Sequence, residues 1–190
     1  MFVELTRPFS YLTIRHNSNL PNLVNWWTPT LMSLAIVGIA WGFNLNVDTF
    51  GSNGLVSRVL SFVQSLPGFY IAALAAISTF NNPDMDKLMP GNAPTMTVHY
   101  NGTLSVVRAT RRRFLSSMFA FLTASSLLLT LISIAALGIA EPIKLAIPAY
   151  TQIFFKLSFS FGYLVMLFQL TSITFWGLYY LGERLYTPDP

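Results

Sequence analysis

Arg108, Arg111, Arg112 and Arg113 fall within six residues and form the densest run of charge in the chain. Guanidinium groups set this close can grip carboxylates or phosphates, because each presents a planar fork of N–H donors. Beside a long apolar run, clustered arginine is also a topology signal that holds its end of a span in the cytoplasm. Two readings therefore stand together. The cluster anchors the chain against anionic lipid head groups, or it joins the segment before it in a docking platform for a cytoplasmic protein. Direct contact with nucleic acid is not expected.

Catalytic chemistry finds little to work with. His16 and His99 are far apart, and no spacing of His, Asp and Glu matches a zinc or two-metal site. Asp84 and Asp86 sit in a proline-rich stretch and read as a solvated turn. No serine has a base partner nearby, and neither a Gly-x-Ser-x-Gly elbow nor a phosphate-binding glycine loop occurs. The absence of cysteine excludes disulfides, thiolate metal sites and cysteine nucleophiles. We expect no catalytic, cofactor-binding or metal-binding residues, and a chain that is not an enzyme.

The elements that must carry the arginines follow from composition. The 190 residues are 53% hydrophobic and only 9% charged, where a soluble domain carries roughly a quarter charged residues. Most of the surface must face something other than water. The reading is an all-α integral membrane protein, a single membrane domain over 1–190 built as a four-transmembrane-helix bundle. Spans are expected at about 23–43, 60–80, 114–140 and 152–181. Trp26, Trp27 and Trp41 mark the two interfaces of the first span, and Trp176, Tyr179 and Tyr180 mark one end of the fourth. Arg58, Gln64 and Pro67 divide the second crossing into an interfacial helix near Leu55–Ser65 and a span from about Leu66. Glu141-Pro142 is expected to end the third. Before the first span, Phe2, Leu5, Phe9 and Leu12 could make an apolar stripe for an interfacial segment.

The polar segment 81–113 holds the most definite local signal. Thr95–Tyr100 and Thr103–Val107 are β-prone runs flanking Asn101-Gly102, a pair that tolerates positive φ at both turn positions. A small cytoplasmic β-hairpin between spans two and three is predicted. Its docking candidates are His99, Tyr100, Asn101, Gly102 and the four arginines. Helix-packing candidates are the Gly38/Gly42 GxxxG and the thin Ala72/Ala76 face, and with Ser125, Ser126 and Thr130 they suggest a homo-oligomer. Gln169, deep in the fourth span, reads as an interhelical hydrogen bond or a pore-lining group. The span cores hold no acidic residue and no histidine, which counts against ion-coupled transport.

Counting Lys and Arg by side gives eight on the side of the termini and the hairpin loop, against three (Arg58, Lys144, Lys156) on the other. The positive-inside rule then places both termini and the loop in the cytoplasm. In size, span count, topology and the segment RATRRRFLSSMFAF leading into span three, the chain resembles the membrane subunits of the Kiwa anti-phage defence system. That resemblance implies a non-enzymatic homo-oligomer of the bacterial inner membrane. Such a subunit senses infection at the bilayer and anchors a cytoplasmic nucleic-acid-binding effector. A small oligomeric pore that depolarises the membrane is the alternative.

Overall fold

A computed structural model of the protein describes residues 6–14, 20–43, 45, 47–79, 81–89, 93–100 and 103–184. Among these residues, four helical stretches are long and apolar enough to cross a membrane, consistent with a multi-pass membrane protein. Helix α1 is Leu23–Gly42, and the second stretch, Leu55–Thr79, is made of α2 (Leu55–Val63) and α3 (Leu66–Thr79). Strands β1 (Thr95–Tyr100) and β2 (Thr103–Arg108) come next, then α4 (Arg111–Ala146) and α5 (Ala149–Tyr179).

Helix α4 is the centre of the molecule. It contacts α2, α3, α5 and a 3-10 helix at Arg7–Thr13, whereas α1 packs on α5. Phe114, Leu115, Met118, Phe119, Phe121 and Leu122 of α4 are buried in one cluster with Tyr70 and Ile77 of α3 and Leu170 and Ile173 of α5. Leu129 and Ala136, farther along α4, share a second cluster with Val56, Val59 and Val63 of α2. Those valines recur at helical spacing, so α2 buries one stripe and leaves Arg58 and Phe62 exposed. The two halves of the second crossing thus share core with successive stretches of α4.

Prolines shape the helix ends. Pro67 cannot donate to the carbonyl of Val63, and α2 stops there. The Ser65 hydroxyl donates to the Phe62 carbonyl at 3.1 Å, satisfying part of the frayed turn. Pro142 behaves otherwise, and the expected end at Glu141-Pro142 is corrected: α4 runs on to Ala146. Pro142 has no N–H for the Gly138 carbonyl, and both residues lie on the exposed side of α4, where that carbonyl can tilt outward and make room for the ring. Gln152 Nε2 then donates to the carbonyls of Lys144 and Ile147, both at 2.9 Å, and ties the added turn down.

The hairpin forms as the Asn-Gly signal requires. Tyr100 pairs with Thr103 and Thr95 with Arg108, in antiparallel register. Asn101 and Gly102 lie outside the described residues, as do His16, Phe2 and Leu5. Of the N-terminal stripe, Phe9 and Leu12 pack against the α4 core, where Tyr11 and Ile14 are buried, so this described part serves the bundle.

The small-residue faces point elsewhere than close packing within the chain would need. Gly38 and Gly42 are exposed, and a Cβ at either would meet nothing within 4 Å. α1 instead buries Pro29 and Ser33. Ala72 and Ala76 are exposed, because Tyr70, Ala73, Leu74 and Ile77 form the stripe that meets the core. Ser125 and Ser126 are buried within the chain, and Ser126 and Thr130 donate to carbonyls of their own helix. Another glycine does sit at a tight contact: a Cβ at Gly177 of α5 would meet Met118 Cε at 2.6 Å.

Candidate functional site

The hairpin end of the bundle is built on the start of α4. Thr110 is its N-cap, accepting from Arg113 N–H at 3.3 Å. Arg111, Arg112 and Arg113 are the first three residues of the helix, where positive charge opposes the helix dipole. Helix stability is therefore no reason for them to be there. Successive helical residues point about 100° apart, so the three meet different surroundings.

Arg111 turns inward and is buried. Arg112 joins three elements: Nε and Nη2 donate to Asp86 Oδ1 and Oδ2 at 2.8 and 3.1 Å, and Nη1 donates to the carbonyl of Ile77 at 2.7 Å. That carbonyl lies in the last turn of α3, where a cation satisfies both an orphan acceptor and the dipole. Arg108 and Arg113 are exposed. The expected patch of four is thus reduced to two outward arginines. Asp84 and Asp86 are correspondingly more than a solvated turn. The Arg112 hydrogen bonds hold the Asp86 carboxyl below its ordinary range, and Lys87 at 2.7 Å does the same for Asp84.

Backbone bonds fix the hairpin to this base. Arg111 N–H donates to Lys87 O at 3.0 Å, Ala109 N–H to Pro94 O at 2.8 Å and Met89 N–H to Ala109 O at 3.3 Å. Met96 and Val107 pair on one face, and Met96 packs against the core. Thr97 and Val106 pair on the other and are exposed, Val106 at 70%. His99 and Tyr100 lie on β1, opposite Leu104 and Thr103.

Aromatic side chains lock the bundle beneath. Tyr11 contacts Phe114 and Phe121 at ring separations of 6.0 and 5.5 Å, and Phe114 contacts Tyr180 at 5.7 Å. Burial pushes the Tyr11 hydroxyl up to about 12, with the Asn25 side chain partly offsetting it. Gln169 of α5 donates to the backbone carbonyl of Asn25 at 2.9 Å, which makes it an interhelical tie. Asn25 lies in a π-helical turn, Leu23–Trp27, just before Pro29, which has no N–H to offer the carbonyl four residues back.

The opposite end holds a feature that the sequence did not suggest. A cavity of about 630 Å³ lies between α4, α5 and the Asp48–Gly51 turn. α4 contributes Ile132, Ala135, Ala136, Ile139, Ala140 and Ile143, a stripe at helical spacing. The three alanines leave the room. α5 contributes Gln152, Phe155, Lys156 and Phe159, and Phe50 packs against Phe159 at a ring separation of 5.1 Å. The turn is tightly set. Gly51 N–H donates to Asp48 Oδ1 at 2.8 Å, and a Cβ at Gly54 would strike the Thr49 backbone at 2.9 Å. The signal in the sequence was Lys156 one helical face from two aromatic residues, facing an alanine stripe on the preceding span.

Among the described residues, no group of three His, Asp or Glu side chains could hold a metal ion. No family model matches the chain, and neither a curated protein nor a solved structure matches it.

Proposed function

We propose that the chain is a non-enzymatic, multi-pass subunit of a bacterial inner membrane that holds a soluble partner at the cytoplasmic face. The observation that carries this reading is the hairpin's attachment. Arg112 and three backbone bonds tie the segments that flank the hairpin to the bundle and Met96 packs on the core, while Thr97, Val106, Arg108 and Arg113 remain exposed. A rigid two-stranded edge with flanking cations suits a protein partner with an acidic rim. The eight-to-three bias in Lys and Arg supports a cytoplasmic hairpin and termini.

The resemblance to Kiwa membrane subunits gives the partner a class, a nucleic-acid-binding effector of an anti-phage complex, and gives the membrane part the role of sensing infection. Self-association is assigned to the outward Gly38/Gly42 face of α1, where a second copy could approach closely.

A photo-crosslinking residue at Val106 or Thr97, expressed in the native host, tests the docking reading. One soluble nucleic-acid-binding protein should be captured from both positions, and Arg108→Glu with Arg113→Glu should abolish capture. The same adducts from the lipid-facing position Ile71 would sink the reading. Purified protein in planar bilayers should be silent. Steady conductance would favour the pore instead.

A further inference from the structure

We propose that the cavity between α4 and α5 binds one phospholipid from the leaflet at that end, its phosphodiester on Lys156 and an acyl chain against the alanine stripe. The volume, about 630 Å³, is that of a ligand site. Its walls are apolar: Ile132, Ala136, Ile139 and Phe155 offer a chain nothing to hydrogen-bond. Ile139 and Phe155 are about half exposed, at 51% and 45%, so the cavity opens sideways where lipid would lie.

The polar rim decides the head group. Asp48 and Glu141 supply two carboxylates, and Lys144 and Lys156 two ammonium groups. Three of these already have partners, although the N–H that Asp48 accepts is neutral and leaves its charge in place. Asp48 accepts from Gly51 N–H, and Glu141 stands 3.9 Å from Lys144. Both side-chain amide protons of Gln152 go to helix carbonyls. Among the described residues Lys156 has no ion-pair partner within 4 Å, so its ammonium is open to an anion. A phosphodiester oxygen is such an anion.

Depth agrees. Lys156 lies seven residues into α5, about 10 Å along its axis. Side chains of a helix tilt toward its N-terminus, which here is the membrane-surface end. The lysine stem therefore returns the ammonium toward head-group level while its methylenes stay in the cavity.

Native mass spectrometry of the purified, delipidated protein with added phosphatidylglycerol, phosphatidylethanolamine or diacylglycerol tests this. One molecule of either phospholipid should bind, and diacylglycerol should bind roughly tenfold or more weakly, about 1.4 kcal/mol. Lys156→Gln should erase that preference, Lys156→Arg should keep it, and Ala140→Trp should block binding of all three. Size-exclusion profiles confirm that each variant is folded. Equal binding of phospholipid by wild type and Lys156→Gln overturns the proposal. Displacement by millimolar inorganic phosphate overturns the assignment to lipid, and binding that survives Ala140→Trp overturns the cavity. Arg108→Glu with Arg113→Glu should leave lipid binding unchanged, so this result and partner docking fail separately.

Discussion

The same two helices, α4 and α5, meet at both ends of this molecule and do opposite things. At the hairpin end they close. Phe114 and Phe121 fill the space with Tyr11 and Tyr180, and Gly177 lets α5 approach Met118 until no β-carbon would fit without moving it. At the other end, Ala135, Ala136 and Ala140 stand where large side chains could have stood, and the helices enclose a cavity. The difference is one of residue size along one face of α4. It makes the hairpin end a fixed base for what projects from it, and the far end a container.

If that contrast is right, truncation should hurt most at the closed end. Phe114→Ala removes a side chain 1% exposed that touches rings from two other segments. The expected loss is roughly 3–5 kcal/mol, the usual cost of deleting a buried aromatic side chain. Phe155→Ala at the cavity rim should cost far less, because Phe155 is 45% exposed and borders space that already exists. Unfolding of both variants in detergent would check this, and equal losses would break the comparison.

Next in size is the tie through Arg112. Arg112→Gln should speed hydrogen exchange at Met89 and Ala109 several-fold, whereas Arg113→Gln should leave it unchanged. Acid should reproduce the effect. Asp86 titrates lower when folded than when unfolded, so its contribution is present above the ordinary carboxylate range and is lost as pH falls through the lowered value. Protection factors, which correct for the intrinsic fall of exchange with pH, should drop at the acid end between pH 6 and pH 3 in wild type and stay flat in Arg112→Gln. A drop in both would remove Asp86 from the account.

How much of this was legible depends on whether a feature is local. The hairpin was readable because Asn-Gly between β-prone runs constrains its own backbone, and the spans were readable because solvent choice is written in composition. The fate of the arginines was only half readable. Helical rotation requires Arg111, Arg112 and Arg113 to diverge, yet only Asp86 and the last turn of α3, distant in sequence, decide which is captured. The glycines show the same limit. Gly38-x-x-x-Gly42 had the motif but faces outward, while Gly177, with no motif, sits tightly against Met118. Pro142 misled because a proline's cost depends on where it sits on the helix, and Pro142 and Gly138 both lie on the exposed side of α4. The alanines that leave room for the cavity are visible along α4, but what faces them on α5 and the Asp48–Gly51 turn is set by packing that no single segment encodes.

A smaller effect isolates one such non-local pair. Gln169→Leu should cost about 1 kcal/mol, the scale of one interhelical hydrogen bond in a membrane. Pro29 offers its partner carbonyl, Asn25 O, no N–H from the α-helical position four residues on. Pro29→Ala restores an N–H to that carbonyl, so in a Pro29→Ala background Gln169→Leu should cost measurably less. Strict additivity in the four-variant cycle would mean that the proline and the glutamine are unrelated.

The smallest effect bears most directly on the contrast between the ends. Ala140→Leu adds three carbons to α4 between the cavity and a helix neighbour. In a closed core such an insertion forces side chains off their rotamers and costs about 1–3 kcal/mol. Ala140 borders a cavity of about 630 Å³, so the added atoms have somewhere to go. The expected change in stability is within about 0.5 kcal/mol, the range of substitutions that disturb no packing. Gly177→Leu, on the same pair of helices but facing Met118, should show the full overpacking cost. A near-neutral Ala140→Leu beside a costly Gly177→Leu would mean that the two ends differ in packing as their residue sizes require, and a reversed order would mean that the cavity collapses in the membrane.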